Sequence, residues 1–402
     1  MNCPQFRKMR KAAFILSLFF LLSCGENINV QRLSVEEGKR FEKISFRKIG
    51  EVTQWGGWCL ACPQGIFCFE VLDRNWREFK LKLYDYSGTL KKERRLAGGE
   101  GPNQIKVTNF GYAWLSSSGK ILCHDNANYL KAIDPETLEV ETIAKFSNVI
   151  KNYGSKYTFG RHSATSLEEK DNRTVTSFES SGFYEDMTYY IITYDGVFED
   201  LSVLATAKKE KPWTWAYLRK KVSYEDYYGP LRLDRILSVD WKRGVVYYLP
   251  DIEKPEIESV DLGGKRKKKY LIDINFERFK VEREEFEFIH KYFESETSAT
   301  EPIIKNFYKS VLDIPPHAPA LMGIKVRGDW LLIITGNRNW KKEENEVLAY
   351  RLPSLRYEGS FFIPFPNRLM TKWDDNYYTI RKLIEKEDGY YLSHEIYLVE
   401  EK

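Results

Sequence analysis

The stretch YAWLSSSGKILCHDNANYLKAIDPETLEVETIAKF, residues 112–146, decides the fold. It contains four short runs of β-forming residues separated by turn sequences: Tyr112–Leu115, Lys120–His124, Tyr129–Ile133 and Glu139–Ala144. The separating sequences are rich in Ser, Gly, Asn and Pro, which supply the backbone angles that a chain reversal needs. Four antiparallel strands predict one meander, and a single meander cannot bury both of its faces. The fold therefore needs further copies of this unit.

Six copies are predicted along the chain. In each copy a turn opens the second strand, and these turns lie at Gln64-Gly65, Ser118-Gly119, Asp171-Asn172, Arg243-Gly244, Arg327-Gly328 and Asp388-Gly389. A third β-forming run follows each of them: Phe79–Asp85, Tyr129–Asp134, Tyr189–Asp195, Ile257–Asp261, Glu346–Leu352 and His394–Val399. The turns recur at intervals of 53 to 84 residues, which is typical of propeller blades that carry insertions.

The two ends of the repeat region predict a closed ring. The sixth copy stops after its third strand, whereas Phe41–Val52 alternates apolar and polar residues and belongs to no copy. Pairing this strand as the outer strand of the last copy removes an open edge. The predicted fold is all-β, a six-bladed β-propeller over residues 41–402. A helical insertion at about residues 274–310, between blades 4 and 5, is predicted from the apolar face of Phe279, Phe286, Ile289 and Phe293.

The N-terminus reads as a targeting segment. Basic residues precede an apolar run over residues 12–22, and Leu21-Leu22-Ser23-Cys24-Gly25 resembles the lipobox of bacterial lipoproteins. The resemblance implies that residues 1–23 are a signal peptide, that Cys24 is acylated, and that residues 24–40 form a polar tether. The expected location is the bacterial cell envelope, with the protein lipid-anchored and facing the periplasm or the cell surface. An ordinary signal peptide with an incidental cysteine is the alternative.

The charge balance argues against a nucleic-acid partner. Without the four basic residues of the signal, 58 of the 62 Lys and Arg remain, against 58 Asp and Glu. Such a chain has no overall positive field for a polyanion. The basic run Lys265–Lys269 (KRKKK) is a local exception. We interpret it as an exposed strand edge protected by lysines, with an anion site as the alternative. A monomer is expected.

Besides the acylated Cys24, four cysteines remain after export: Cys59, Cys62, Cys68 and Cys123. The pair Cys59 and Cys62 is superficially like a thioredoxin motif, but the residues that follow it predict a strand where that motif needs a helix. No second ligand pair at zinc spacing is evident. A two-residue turn at Pro63-Gln64 would place Cys59 opposite Cys68, close enough for a disulfide. The oxidation state of the cysteines is left open.

A second resemblance involves Gly98–Ile105 (GGEGPNQI). Together with the six copies and the lipobox, it resembles the six-bladed β-propeller lipoproteins of bacteria, which are NHL-repeat-like and common in Bacteroidetes-type organisms. Their signature is Gly-x-Gly-Pro-Gly-Glu-Phe: Gly99, Gly101 and Pro102 match it, whereas the three residues after Pro102 depart from it. Ile314–Pro319 (IPPHAP) also resembles the entry to a late blade. The resemblance implies the fold and the location, and little about function.

No established catalytic motif is present: there is no Gly-x-Ser-x-Gly, P-loop or His-Glu-x-x-His sequence. We therefore favour a non-enzymatic, membrane-anchored module that binds a protein or glycan partner and needs no cofactor. The alternative is a metal-dependent hydrolase or lyase of the lactonase-like propeller type, with Ca²⁺ or Zn²⁺ in the central channel. His290 and His394 are expected to be structural.

The binding surface is predicted on the rim that carries the long loops. In a four-stranded blade, the loops between strands two and three share this long-loop rim with the connections between blades. The other turns, which are short here, share the opposite, short-turn rim. Loops on a rigid scaffold commonly bind ligands, and Trp and Arg are common anchors. The predicted ligand-binding residues are Arg74, Trp76, His124, Asp125, Arg161, His162, Trp213, Trp215, His317, Arg338 and Trp340. For the Trp residues, the alternative is that they cap blades or cover the insertion; for His124-Asp125, it is a turn or a metal site.

Overall fold

The structure is a computed structural model. It describes residues 29–72, 77–99, 101–106, 113–125, 129–145, 164–171, 173–180, 187–195, 200–209, 236–251, 254–275, 280, 282, 284, 318, 320–364, 371–374, 376–386 and 389–402. The named elements in these ranges are β-strands, arranged in small, propeller-like sheets. The prediction of an all-β fold is therefore confirmed. After Asn275 the predicted helical insertion lies outside the described residues, apart from Lys280, Glu282 and Glu284.

Five of the sheets have four strands and one has five. We number the sheets in chain order. Sheet 1 contains β3 to β6, which are Trp58–Cys62, Gly65–Val71, Glu78–Tyr84 and Leu90–Ala97. Sheet 2 contains β7 to β10, which are Ala113–Leu115, Ile121–His124, Tyr129–Ile133 and Val140–Lys145. Sheet 3 contains β11 to β14, which are Ala164–Lys170, Arg173–Ser180, Met187–Asp195 and Asp200–Lys209.

The remaining sheets each involve a late part of the chain, and two of them recruit an N-terminal strand. Sheet 4 contains β15 to β18 and β1, which are Leu237–Asp240, Val245–Tyr248, Glu256–Asp261, Lys267–Ile272 and Asn29–Leu33. Sheet 5 contains β19 to β22, which are Leu321–Arg327, Trp330–Asn339, Glu344–Arg351 and Arg356–Pro364. Sheet 6 contains β23 to β25 and β2, which are Thr371–Asp374, Tyr377–Lys386, Gly389–Glu401 and Ile44–Gln54.

Sheet 2 is the meander predicted from residues 112–146. Its four strands pair in the order β10-β9-β8-β7, and each predicted boundary lies within one residue of the observed strand end. The turn that opens its second strand ends at Gly119, whose φ of 81° lies in the left-handed region that favours glycine. Turn chemistry and alternating burial were therefore sufficient to place these strands.

The N-terminal strand β2 pairs antiparallel with β25, from Ile44 opposite Glu401 to Gln54 opposite Leu392. This confirms that the N-terminal strand is the outer strand of the last sheet. The turn expected at Asp388-Gly389 to open the second strand of this sheet was misplaced, because it joins β24 to β25. The first strand of sheet 6 is only four residues long, and the connection that follows it carries no glycine to mark it.

The segment predicted to be a polar tether, residues 24–40, contains strand β1. This strand pairs in parallel with β18, with Asn29 opposite Lys268 and Leu33 opposite Ile272. Leu33 is 2% exposed and belongs to the core between sheets 4 and 5. The outer edge of β18 is therefore covered by β1, which corrects the expectation that the basic run guards an open edge.

Each sheet contacts the next one in chain order. Apolar clusters join sheet 1 to sheet 2, sheet 3 to sheet 4, and sheet 4 to sheet 5. Hydrogen bonds from Ser117 to Glu169 connect sheet 2 to sheet 3. The ring of Phe46 lies 6.2 Å from that of Phe361 and so joins sheet 6 to sheet 5. A further apolar cluster contains Val52 and Ile396 of sheet 6 together with residues of sheet 1.

The hairpin of β3 and β4 carries the predicted disulfide. Cys59 lies opposite Cys68 in the register, and the structure joins their sulfur atoms. Both residues are fully buried. Gly65 follows the Pro63-Gln64 turn with a φ of 141°, and a Cβ there would lie 2.0 Å from the Tyr84 carbonyl oxygen. Only glycine therefore fits this turn, which sets the register of the two cysteines.

Candidate functional site

A cavity of about 910 Å³ opens where the first and second strands of all the sheets connect. We call it the channel mouth. Each sheet contributes to its lining from this one connection: Pro63, Gly119, Lys170, Trp241, Gly328 and Asn376. In an antiparallel meander these connections lie at the same end of every sheet, which is the short-turn rim. The cavity is therefore on the rim opposite to the one predicted for binding.

The lining is strongly charged. It includes seven Lys or Arg residues and five Asp or Glu residues, together with Trp241, Trp330 and Tyr377. Charged side chains at the ends of otherwise buried strands are held by partners or face a solvated cavity, because isolation in an apolar interior is costly. The arrangement of partners therefore decides which charges remain available to a ligand.

A buried network ties together the first strands of sheets 3, 4 and 5. The Ser238 hydroxyl donates a 2.8 Å hydrogen bond to Glu168 Oε1, and the Val239 amide donates a 3.1 Å bond to Glu168 Oε2. The ammonium of Lys325 lies 3.5 Å from Glu168 Oε1, and these two side chains are only 9% and 12% exposed. The carboxylate thus has donors from two neighbouring sheets, which fixes the wall of the channel mouth.

A second network closes the rim between sheets 4 and 5. Arg243 contacts the Asp240 carboxylate at 3.0 Å and the Asp329 carboxylate at 2.7 Å, and Lys242 lies 3.3 Å from Asp329. Hydrogen bonds from Arg243, and then from Lys242, lower the pKa of Asp329. These cations are neutralised by carboxylates from their own and the adjacent sheet. Their role is to join the two turns.

Trp330 has a different environment. The ammonium of Lys43 lies 5.2 Å from the centroid of its indole ring, and the guanidinium of Arg351 lies 5.4 Å from it. Both are cation–π distances, and Phe41 packs edge-on against the same ring at 4.9 Å. Within the described residues, no ion pair holds Lys43 or Arg351. Two exposed cations are therefore positioned at the channel mouth by an aromatic ring that leaves their charge available.

Of the predicted ligand-binding residues, only His124, Asp125, Arg338 and Trp340 are described. Arg74, Trp76, Arg161, His162, Trp213, Trp215 and His317 lie outside the described residues, as does the lipidation site Cys24. None of the four described residues lines the channel mouth. The structure therefore brings together a different set of side chains from the one that the sequence suggested.

His124 and Asp125 are buried, 3% and 0% exposed. Burial lowers the pKa of His124 to about 4. Asp125 accepts hydrogen bonds from the amides of Tyr129, at 2.9 Å, and Lys106, at 3.4 Å. These contacts match the alternative interpretation of the pair as turn chemistry. Both side chains are buried in sheet 2, and their role in binding stays a prediction.

Arg338 and Trp340 lie at the connection between β20 and β21, on the long-loop rim. The indole nitrogen of Trp340 donates a 2.8 Å hydrogen bond to the Glu282 carboxylate. The Lys341 ammonium lies 5.4 Å from the Trp340 ring centroid and 3.8 Å from Glu284. Trp340 therefore contacts the predicted insertion, in agreement with its alternative role as a covering side chain.

The remaining thiols, Cys62 and Cys123, and His394 of β25 are buried. Cys62 is buried, and burial raises the pKa of its thiol to about 11, so that it is protonated at neutral pH. Burial, followed by the charge of Arg381, lowers the pKa of His394 well below its usual value. Within the described ranges, no three His, Cys, Asp or Glu side chains are grouped to hold a metal ion. No helix in those ranges is long and apolar enough to cross a membrane.

The lining residues were missed because the short turns were interpreted as structural only. The relevant signal is a charged residue at the end of an apolar first strand, as with Lys325 and Arg327 after Leu321–Ile324. This signal is local and weak, because exposed strand ends are charged in most proteins. The signal becomes informative only when the ends of all the first strands meet at one cavity. That convergence arises from the pairing of strands that are distant in the chain, so the local sequence does not show it.

No family model and no curated protein matches the chain. Among solved structures, a chain of the "Crystal Structure of Mitotic Checkpoint Complex" is similar over 93% of this chain and 94% of that chain, with 7% sequence identity and a TM-score of 0.39. At that identity and TM-score, the likeness carries no argument about fold detail or function.

Proposed function

We propose that the protein is a lipid-anchored binding module of the bacterial cell envelope, built as a closed six-bladed β-propeller. The blade count is supported by the packing of each sheet against its neighbour and by a cavity to which every sheet contributes. Closure by the N-terminal strand is supported by the pairing of β2 with β25. The lipobox around Cys24 and the resemblance to bacterial propeller lipoproteins support the location.

The ligand that the channel mouth fits best is the anionic group of a glycan or protein partner. The observation that carries this proposal is that Lys43 and Arg351 both lie against the Trp330 ring, inside a cavity, with no ion-pair partner among the described residues. Guanidinium and ammonium groups bind carboxylate, sulfate and phosphate groups through charge-assisted hydrogen bonds. The proposed site therefore lies on the short-turn rim and replaces the long-loop rim as the main candidate.

The test is a double variant, Lys43→Gln with Arg351→Gln, titrated with acidic and neutral glycans and with acidic peptides. Hydrogen bonds to charged groups contribute about 1.5–3 kcal/mol each, so the variant should bind an acidic ligand at least ~10-fold more weakly than the wild type. The matched control is Lys91→Gln with Arg95→Gln, which removes the same charge from the exposed strand β6. Equal binding by the double variant and the wild type would contradict the proposal, as would a preference for neutral ligands.

The location has a separate test. Intact-mass analysis of protein from the membrane fraction should show a chain that begins at Cys24 and carries acyl groups. The Cys24→Ala variant should be released from the membrane or retain its signal. An unmodified mature chain that begins at another residue would refute the anchoring proposal and leave the ligand proposal standing.

A further inference from the structure

The basic run Lys265–Lys269 lies beside the point where the folded domain joins its anchor segment. Strand β1 begins at Asn29, which is the register partner of Lys268, and Val30 is the partner of Lys269. Only four residues lie between Cys24 and Asn29, and the five residue steps from Cys24 to Asn29 span at most about 18 Å. An acylated Cys24 therefore keeps the outer edge of sheet 4 close to the bilayer surface, whatever path the intervening chain takes.

The charges of this run are largely available. Lys265, Arg266 and Lys268 are exposed, and no ion pair holds them among the described residues. Lys269, in contrast, is paired with Glu256 at 2.6 Å. On β1, the exposed Arg32 adds another positive charge, and Val30 leaves 52% of its surface exposed beside Lys269. The surface next to the anchor thus combines several free cations with an exposed apolar side chain.

We propose that this basic edge of sheet 4 docks on anionic phospholipid headgroups and orients the domain on the membrane. Clusters of Lys and Arg next to a membrane attachment point are attracted by the negative surface potential of the bilayer, with about 1 kcal/mol per charge. The segment between Cys24 and β1 is too short to let the domain turn freely away from the lipid, so this attraction acts at close range. The proposal rests on the anchoring at Cys24 stated under Proposed function.

Docking through this edge also determines which rim faces the lipid. The turn that carries Lys265 and Arg266 connects β17 to β18, and it lies at the same end of sheet 4 as the connection of β15 to β16. That second connection lines the channel mouth through Trp241 and Lys242. The proposed orientation therefore places the channel mouth on the membrane side of the domain, within reach of ligands at the bilayer surface.

The test uses the chain from residue 25, which contains every described strand but carries no acyl group, so that failure of acylation at Cys24 does not affect the result. Binding is measured by co-sedimentation with phosphatidylcholine vesicles, with and without one third phosphatidylglycerol. The wild type should bind the anionic vesicles preferentially, and added salt should weaken binding. The test variant combines Lys265→Gln, Arg266→Gln and Lys268→Gln. At low ionic strength it should bind the anionic vesicles about 100-fold more weakly than the wild type, because each lost charge removes ~1 kcal/mol of binding free energy.

The control removes three positive charges from the outer strand of sheet 1, by Lys91→Gln, Lys92→Gln and Arg95→Gln. This variant should retain binding within about 3-fold of the wild type, since β6 belongs to sheet 1, whereas the strand next to the anchor, β1, pairs with sheet 4. Equal binding of the wild type to neutral and anionic vesicles would overturn the proposal, and this comparison needs no variant. An equal loss in the two triple variants would also overturn it, because the effect would then reflect overall charge.

Discussion

Phe46 tests the closure of the ring, because it comes from the N-terminal strand and packs between the last two sheets. Its ring centroid lies 5.2 Å from that of Trp373 and 5.3 Å from that of Tyr378, both in sheet 6, and 6.2 Å from that of Phe361 in sheet 5. Phe→Ala at a buried site costs about 3–5 kcal/mol. Phe46 is half-buried, so we expect Phe46→Ala to lower the free energy of unfolding by about 3 kcal/mol.

This change is measurable as a shift in Tm. With ~2.1 cal/mol/K per residue over about 370 residues, the entropy of unfolding is ~0.8 kcal/mol/K, so Tm should fall by roughly 4 °C. Phe362→Ala is the matched control, because Phe362 lies next to Phe361 in β22 and is 49% exposed. It should change stability by less than about 0.5 kcal/mol. Calorimetric scans that show equal Tm shifts for the two variants would refute the role of β2 in holding the ring closed.

Three further perturbations have definite expected outcomes. Deleting residues 25–38 removes β1 and the burial of Leu33, so the midpoint of urea unfolding should fall by the equivalent of roughly 2–4 kcal/mol; an unchanged midpoint would show that β1 adds nothing to stability. Replacing Cys59 and Cys68 together by serine opens a loop with a sequence separation of 9 and should cost about 2–3 kcal/mol. Peptide mapping of the wild type without reductant tests this expectation. If it finds Cys59 and Cys68 as free thiols, the disulfide on which the expectation depends is absent. Burial lowers the pKa of His124 to about 4, below the value of ~6.5 in the unfolded chain. As the pH falls, the unfolded state therefore binds this proton before the folded state does. The contribution of neutral His124 to the free energy of unfolding is complete above pH ~6.5. It decreases by about 1.4 kcal/mol per pH unit between pH ~6.5 and pH ~4. The His124→Gln variant should show a correspondingly shallower dependence of stability on pH, and an unchanged slope would assign the effect to other groups.

The regular parts of the fold could be predicted because their determinants are local. Alternating burial and Gly-containing turns placed the strands of sheet 2, and a two-residue turn predicted the pairing of Cys59 with Cys68. The closing pair β2 and β25 was also predictable, because one unassigned strand at the start matched one missing strand at the end. In the first two cases, the turn and burial pattern that determines the structure lies within a few residues. In the third, counting the strands at the two ends of the chain was enough.

The errors have a common physical origin in pairing that the local sequence does not encode. Strand β1 has the sequence NVQRL, and of its side chains with a described surface only Leu33 is buried. This segment forms a strand because the outer edge of β18 has free backbone groups with which it can pair. That edge exists only in the folded protein, so the sequence of β1 does not predict it. The channel mouth likewise depends on the convergence of turns that are far apart in the chain. The burial of His124 and Asp125 depends on the packing around sheet 2 in the folded protein, and the isolated dipeptide gives no sign of it.

The pairing of β2 with β25 also constrains the order of folding. Contacts across this pair, such as the one between Arg47 and Glu400, join residues 353 positions apart. Closing a loop of that size costs about 3 kcal/mol more entropy than closing a ten-residue loop. Contacts of such long range form late and slow the folding of β-rich chains. Strand β2 is therefore synthesised early, but its partner β25 is synthesised last, so the pair forms late in folding. During that interval its unpaired edge is open to association with other chains, so substitutions in β2 and β25 should reduce the yield of folded protein more than equally destabilising substitutions within the other sheets.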